Sequence, residues 1–282
     1  METPLEDWIG KSETREDVLT AETVARFLAT LDRDDPPPGE GYPAPPLSHW
    51  LVFLPCERQS GLGPDGQAKR GGFLPPVHHL PRRMWAGSRL DFAGDLPVGA
   101  PLVRRSIIAS VKRKEGRASE LVFVTVRHEI GRPDGPVLVT DEHDIVYRGL
   151  QQPAVTPAPE KREPGEWHRL LAPDPVLLFR YSALTFNGHR IHYDRPYVTD
   201  VEGYPGLVVH GPLSATLLLD LVRRKLPAAR IKSFGFRAVS PLFDGREMHL
   251  NGSPPDREGR VDLWATNAEG GLAMTATAVV ET

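Results

Sequence analysis

Apolar positions in this chain fall into two successive series, each passing from helical spacing to strand-like alternation. In the first, Leu19, Val24, Phe27, Leu28 and Leu31 share one helical face, and Thr20 stands where its hydroxyl can cap the first turn. In the second, Asp174 and Pro175 supply N-cap and N1 chemistry for a helix over residues 176–184. Alternating runs rich in β-branched residues follow in each series: 106–111, 121–128 and 137–147, then 231–238, 247–251, 261–265 and 273–280. A weak echo supports duplication, because Asp95-Leu96-Pro97-Val98-Gly99 and Pro241-Leu242-Phe243-Asp244-Gly245 both precede a pair of such runs. One segment has no counterpart. Residues 210–222 are apolar nearly all round, the pattern of a buried helix, bounded by Gly211-Pro212 and by Pro227. The corresponding stretch of the first series, residues 47–62, is broken by Pro and Gly, so one half is equipped and the other degenerate.

Proline marks the division between the halves. The chain carries 29 Pro and 26 Gly in 282 residues, and the prolines cluster. Pro36, Pro37, Pro38, Pro43, Pro45 and Pro46 break the chain after the first helix. Pro153, Pro157, Pro159 and Pro164 occupy a polar stretch whose spacing no helix or central strand tolerates. This second cluster, residues 151–167, is expected to link an N-terminal module at 1–150 to a C-terminal module at 168–282. Charge excludes one class of partner: 34 Lys plus Arg against 37 Asp plus Glu give a formal net charge of -3, unlike a general nucleic-acid binder. Cys56 stands alone, so neither an intrachain disulfide nor a cysteine-rich zinc site can form. The acidic start of the chain reads as neither a secretory signal nor a transit peptide. The most apolar stretch, 213–222, is too short to span a bilayer and contains Asp220. The expectation is a cytoplasmic protein with no membrane or nucleic-acid partner.

Candidate chemistry concentrates at residues 180–211, which hold three of the ten histidines. A metal site could draw on His189, His192, Asp194 and His210, but a His-x-x-His pair on a loop without a third fixed ligand is a weak signal. Ser182 or Ser214 with His192 and Asp194 would suit a serine hydrolase, yet no Gly-x-Ser-x-Gly turn is present. Gly10-Lys11-Ser12 has Leu5 where a phosphate loop needs its first glycine. Acid/base chemistry beside a helix N-terminus uses every feature. Amides around Gly211 precede the first intrahelical bonds, face the positive end of the dipole and suit a developing oxyanion such as a thioester enolate. Glycine lets a ligand carbonyl approach the backbone there. His192 can take a proton from water near neutral pH and return it to carbon. These parts describe hydration of, or elimination to, an α,β-unsaturated thioester.

The stretch Phe186-Asn187-Gly188-His189-Arg190-Ile191-His192-Tyr193-Asp194, followed by Val209-His210-Gly211, resembles the hydratase-2 signature of hotdog-fold enoyl-thioester hydratases. It looks most like the branch containing mitochondrial-type 3-hydroxyacyl-thioester dehydratase. Over the full chain, including Asp7-Trp8-Ile9-Gly10 and the two-half layout, it is similar to bacterial itaconyl-CoA and mesaconyl-CoA hydratases. The resemblance implies an α+β double hotdog: two modules, each a central helix wrapped by an antiparallel sheet, paired as a pseudo-dimer within one chain. It implies His192 as the catalytic histidine and Gly211 as part of the oxyanion hole. Asn187 stands where better-known members place a catalytic aspartate. Asparagine can hold a water but cannot shuttle a proton at neutral pH, so the proton work falls on His192. The reading calls for no metal or redox cofactor, because coenzyme A enters as part of the substrate. It leaves homo-oligomerisation open.

Each residue also has a plain structural alternative. His192 can be a hydrogen-bonded structural histidine, Asn187 a turn cap before Gly188, Gly211 a helix residue with no ligand, and Asp194 a solvated carboxylate. Arg223, Arg224 and Lys225 can either bind coenzyme A phosphates or complement the helix dipole. A dicarboxylic acyl group such as itaconyl or mesaconyl needs a cation for its free carboxylate, and Arg190, Arg89, Arg127 and Arg237 are the candidates. The expected activity is reversible hydration of such an acyl-CoA thioester. The alternatives are a dehydratase of straight-chain 3-hydroxyacyl thioesters, a hotdog thioesterase and a non-catalytic acyl-CoA-binding sensor.

Overall fold

The structure is a computed structural model and describes residues 4–115, 120–149 and 159–281. The first half runs β1 (Ser12–Val18), α1 (Ala21–Thr30), β2 (Arg82–Phe92), β3 (Pro101–Glu115), β4 (Glu120–Gly131) and β5 (Val137–Arg148). The second runs β6 (Trp167–Leu171), α2 (Pro175–Leu184), α3 (Gly211–Lys225), β7 (Arg230–Ala238), β8 (Met248–Gly252), β9 (Arg260–Asn267) and β10 (Leu272–Glu281). The strands form one antiparallel sheet in the order β1-β3-β4-β5-β2-β7-β10-β9-β8-β6. Read inward from either edge, that order is the same, so the halves are related by a pseudo-two-fold at the β2–β7 ladder. Matching hydrogen bonds carry the relation into the loops. Gly99 N donates to Leu19 O as Gly245 N donates to Pro173 O, and Ala44 N to Leu96 O as Val209 N to Leu242 O.

Local chemistry accounts for the helices. Thr20 accepts from Thr23 N and Asp174 from Leu177 N, so both short helices carry the caps their sequences offer. Residues 213–222 of α3 are buried throughout, and the helix lies against β8, β9 and β10.

Several expectations change. In each half a strand precedes the first α-helix. β1, Ser-Glu-Thr-Arg-Glu-Asp-Val, is an edge strand with almost no buried side chain, held through its backbone ladder to β3, so apolar alternation could not reveal it. β2 sits mid-sheet with a register shift between Trp85 and Gly87. A Cβ on Gly87 would meet Phe236 O at 2.3 Å, so glycine is what allows β2 and β7 to close. Trp167, expected in the linker, starts β6, while residues 151–158 of that linker lie outside the described residues. Among the described residues the first module has no equivalent of α3, contrary to a central helix in each. The matched hydrogen bonds place Pro45-Pro46 where the second half has His210-Gly211. Leu47 then adopts φ 72°, and only a short 3-10 turn, Ser48–Leu51, follows.

A buried carboxylate joins the pieces. Asp220, 2% exposed on α3, accepts from Arg33 Nη1 at 2.9 Å, Arg169 Nη1 at 3.0 Å and Arg224 Nε at 2.6 Å. Arg33 also holds Asp35, which takes Arg223 Nη2 at 2.8 Å. Two cations of the 223–225 run therefore dock α3 onto the end of α1. Asp220→Ala is expected to destabilise the fold by about 2–4 kcal/mol by leaving partly buried guanidiniums without their acid. A urea titration checks this: the midpoint should fall at unchanged slope.

Candidate active site

The site begins where α2 ends. Phe186, at φ 48°, turns the chain into the left-handed region, Phe186 N donates to Ala183 O and Asn187 N to Ser182 O at 2.8 Å. This is a Schellman closure with a non-glycine residue at the left-handed position, a conformation that costs on the order of 1 kcal/mol. It aims Asn187 out of the helix. Asn187 Oδ1 then accepts from His189 N at 3.0 Å, which makes the Asn187 oxygen a turn cap.

A single 3-10 turn, Arg190–His192, carries His192. Its Nδ1 lies 2.7 Å from Val208 O and donates to it, so the neutral ring keeps a lone pair on Nε2. Val208 is fixed in turn, because Val208 N donates to Ile191 O and Val209 N to Leu242 O. The His192 ring is 7% exposed and stacks on His210, centroids 3.7 Å apart and planes 17° apart. His210 Nε2 pairs with Ser182 Oγ at 2.8 Å, and Tyr181 meets the same ring edge-on. Burial pushes His192 down to about 3 despite the Val208 carbonyl, with His189 adding to the fall. His210 is also held well below its ordinary value by burial and by His192.

Gly211 follows directly as the first residue of α3. Ser214 N makes the first helical hydrogen bond, to His210 O, and Pro212 has no N–H, so the Gly211 and Leu213 amides precede the ladder at its positive end. A Cβ on Gly211 would meet nothing within 4 Å, so open space lies beside its Cα.

The three expected residues, His192, Asn187 and Gly211, thus converge on one place. Other sequence candidates do not. Asp194 is taken by Arg190, whose Nε and Nη2 donate to Asp194 Oδ2 at 2.9 and 2.8 Å, and it does not orient the imidazole. Arg89 pairs with Glu142 and Asp144, Arg127 with Glu129, and Arg237 is exposed on the far face of the sheet. Among the described residues no group of three or more His, Cys, Asp or Glu is arranged to hold a metal ion, and no helix is long and apolar enough to cross a membrane. Residues 65–67 of the first half also reach the 187–192 loop, and no motif in the sequence marks them. Gln67 Nε2 lies 3.2 Å from His189 Nδ1, and Arg190 N donates to Asp65 O at 2.9 Å, contacts spanning more than a hundred residues.

A pseudo-symmetric antiparallel sheet around one buried helix, with histidines at that helix's start, defines the double-hotdog class. Solved structures share the fold. The chain superposes on a MaoC-like dehydratase from Phytophthora capsici with TM-score 0.71 at 16% identity, covering 97% of this chain and 96% of that one. A Mycobacterium tuberculosis protein described as having a double hotdog fold gives TM-score 0.61 at 12% identity, with 97% and 96% covered. In sequence, the family of hydroxyacyl-thioester dehydratase type 2 matches residues 47–244. Mesaconyl-C(4)-CoA hydratase of Chloroflexus aurantiacus is 44% identical over 272 residues, 96% of this chain and 95% of that protein. The chain belongs to the hydroxyacyl-thioester dehydratase type 2 family, and it is an enzyme of the acyl-CoA hydratase/dehydratase class.

Burial holds His192, His189, His210 and His128 neutral in the fold. An unfolded chain titrates histidine near about 6.5, so below that pH the unfolded state binds more protons and stability falls as pH drops. The expected result is a Tm that declines steadily from pH 7 to pH 5, with a shallower decline in His192→Gln. A Tm level across that range would contradict the buried neutral assignment.

Proposed function

We propose that the protein catalyses reversible hydration of a branched dicarboxylic acyl-CoA, of the mesaconyl type, with His192 as the proton-transfer group. The observation that carries this reading is the neutral His192 ring, its Nδ1 committed to Val208 O, stacked against the residue that caps α3. Nε2 is then the basic atom. As water adds to the β-carbon of the enoyl thioester, Nε2 accepts one of its protons, and the electron pair of the double bond moves onto the thioester carbonyl. The Gly211 amide, at the positive end of α3, stabilises the resulting enolate oxygen. The proton held on His192 passes to the α-carbon, which completes addition of H and OH across the double bond. Elimination of water from the 3-hydroxyacyl thioester is the same path reversed.

Asn187 fits the water-holding role. Its oxygen is occupied by His189 N, so its NH2 can donate to the oxygen of the attacking water while His192 takes the proton. The side chain cannot share the proton transfer, which makes this a one-base mechanism. The substrate class rests on the mesaconyl-C(4)-CoA hydratase that shares 44% of its residues with this chain over 96% of the length. All the groups used are side chains, backbone amides and the substrate's own thioester.

Hydration of mesaconyl-C4-CoA, itaconyl-CoA and crotonyl-CoA tests the reading. Mesaconyl-C4-CoA, whose double bond is conjugated with the thioester, should give a higher kcat/KM than crotonyl-CoA and than itaconyl-CoA, whose double bond is not, and His192→Ala should lose kcat by about 100-fold or more while remaining folded. Because His192 is already neutral, kcat/KM should stay level between about pH 6 and pH 8. A preference for crotonyl-CoA would remove the dicarboxylic assignment and leave hydration standing. Binding without turnover of any of the three would overturn catalysis.

A further inference from the structure

The first half brings two guanidiniums towards the candidate base and links one of them to it through Gln67 and His189. Arg83 faces Tyr147 directly across the β2–β5 ladder, and cross-strand partners share a face. Tyr147 is 1% exposed, so this is the inner face of the sheet. Arg83 Nε and Nη2 both donate to Gln67 Oε1, at 3.2 and 2.8 Å, and Gln67 Nε2 meets His189 Nδ1 at 3.2 Å. His189 in turn stands edge-on to His192, ring centroids 5.5 Å apart. A second guanidinium backs the first: Arg70 lies over the Tyr147 ring at 4.9 Å. Arg70 Nη2 donates to the carbonyls of Leu80 and Pro81, and its buried Nη1 has no hydrogen-bond partner.

Every one of those acceptors is neutral. Among the described residues no carboxylate pairs with Arg70 or Arg83, and Asp65, which lies near Arg70, accepts from Gln67 N at 3.0 Å. Two partly buried cations side by side repel each other, and burial and Arg83 together lower the Arg70 pKa. Such a pair is costly unless an anion completes it. The position selects which anion. In a mesaconyl C4-thioester the β-carbon that receives the hydroxyl also bears the free carboxylate. With the thioester oxygen placed at Gly211 and the β-carbon at His192, that carboxylate would have to find its cation among the neighbours of His192, and His189, Gln67 and Arg83 succeed one another there.

We propose that Arg83, backed by Arg70, binds the free carboxylate of the acyl group, which displaces the Gln67 side-chain oxygen as its acceptor. This deepens the dicarboxylic reading above and rests on it. A fork of two N–H groups suits a carboxylate in a way that a lysine would not.

The test compares mesaconyl-C4-CoA with 3-methylcrotonyl-CoA, which carries a methyl in place of the carboxylate and the same coenzyme A. The readout is the ratio of the two kcat/KM values in the full-length protein. Arg83→Met should lower that ratio by at least about 30-fold, and Arg83→Lys should lower it less. Gln67→Glu, which sets a carboxylate of its own against Arg83 with little change of shape, should lower the ratio too, and it serves if Arg83→Met does not fold. An unchanged ratio in a folded Arg83→Met or in Gln67→Glu overturns the proposal, as does an equal loss on both thioesters, the sign of a contact with coenzyme A phosphates. If the wild-type ratio itself shows no preference for mesaconyl-C4-CoA, the dicarboxylic reading fails first and the anchor with it.

Discussion

The ladder between β2 and β7 makes one enzyme out of two half-sheets. It pairs Gly87 through Asp91 with Arg237 through Ser233, and the close approach it needs is permitted by the missing side chain of Gly87. Around this seam Trp50, Trp85 and Phe236 pack edge to face, with ring centroids 5.0 to 6.1 Å apart. Because the seam fixes the halves against each other, the 57–82 segment of the first half can lie on the 187–192 loop of the second. There Gly66 is backed so closely by Gly188 O that a Cβ would stand 1.9 Å from it. The candidate site is therefore composite: His192 and Gly211 lie on one half, and Asp65 and Gln67 of the other contact its loop.

The pseudo-symmetry breaks at one point. Where the second half has His210-Gly211 opening a helix, the first has Pro45-Pro46. The glycine leaves a free amide, whereas each proline removes one, so only one half can offer an oxyanion site at a helix start. The absent helix also leaves space. A cavity of about 610 Å³ lies between the 42–49 segment and the residues around Arg223 and Leu226 at the C-terminal end of α3. A helix of fifteen residues spans roughly 22 Å, so this cavity sits a helix length from Gly211 and does not extend the candidate site.

In place of that helix, a buried polar network ties the first half together. Asp141, fully buried, accepts from Trp50 Nε1 at 2.8 Å and pairs with His49 at 3.0 Å and His143 at 2.7 Å. Burial would raise its pKa, yet the two histidines hold it well below the usual carboxylate range. The network binds the 3-10 turn that replaces the helix to β5, between two apolar clusters of the same sheet. All three contacts converge on Asp141 Oδ2, while its buried Oδ1 has no hydrogen-bond partner among the described residues, so the network specifies position more than it adds stability.

Much of this was legible in the order of residues. Local rules were enough for α1 and α2, whose caps Thr20 and Asp174 act within three residues, for the apolar α3, and for the strands that alternate. The motif from Asn187 to His192 and the pair His210-Gly211 also lie close enough in the chain to be read together, and the fold brings them to one place. The missing helix of the first half was legible in the Pro- and Gly-broken stretch 47–62, although the family resemblance implied a central helix in each module. The polar edge strand β1 and the glycine-bent β2 were not legible, because each is defined by a partner strand rather than by its own pattern. Nor were the cations. Arg89, Arg127, Arg190 and Arg237 have the composition of a carboxylate anchor but are turned outward or spent on nearby acids, whereas Arg83 and Arg70 face inward with neutral acceptors alone. Charge is written in the sequence; whether a charge is paired depends on which surfaces the sheet brings together. Only the tertiary structure decides that.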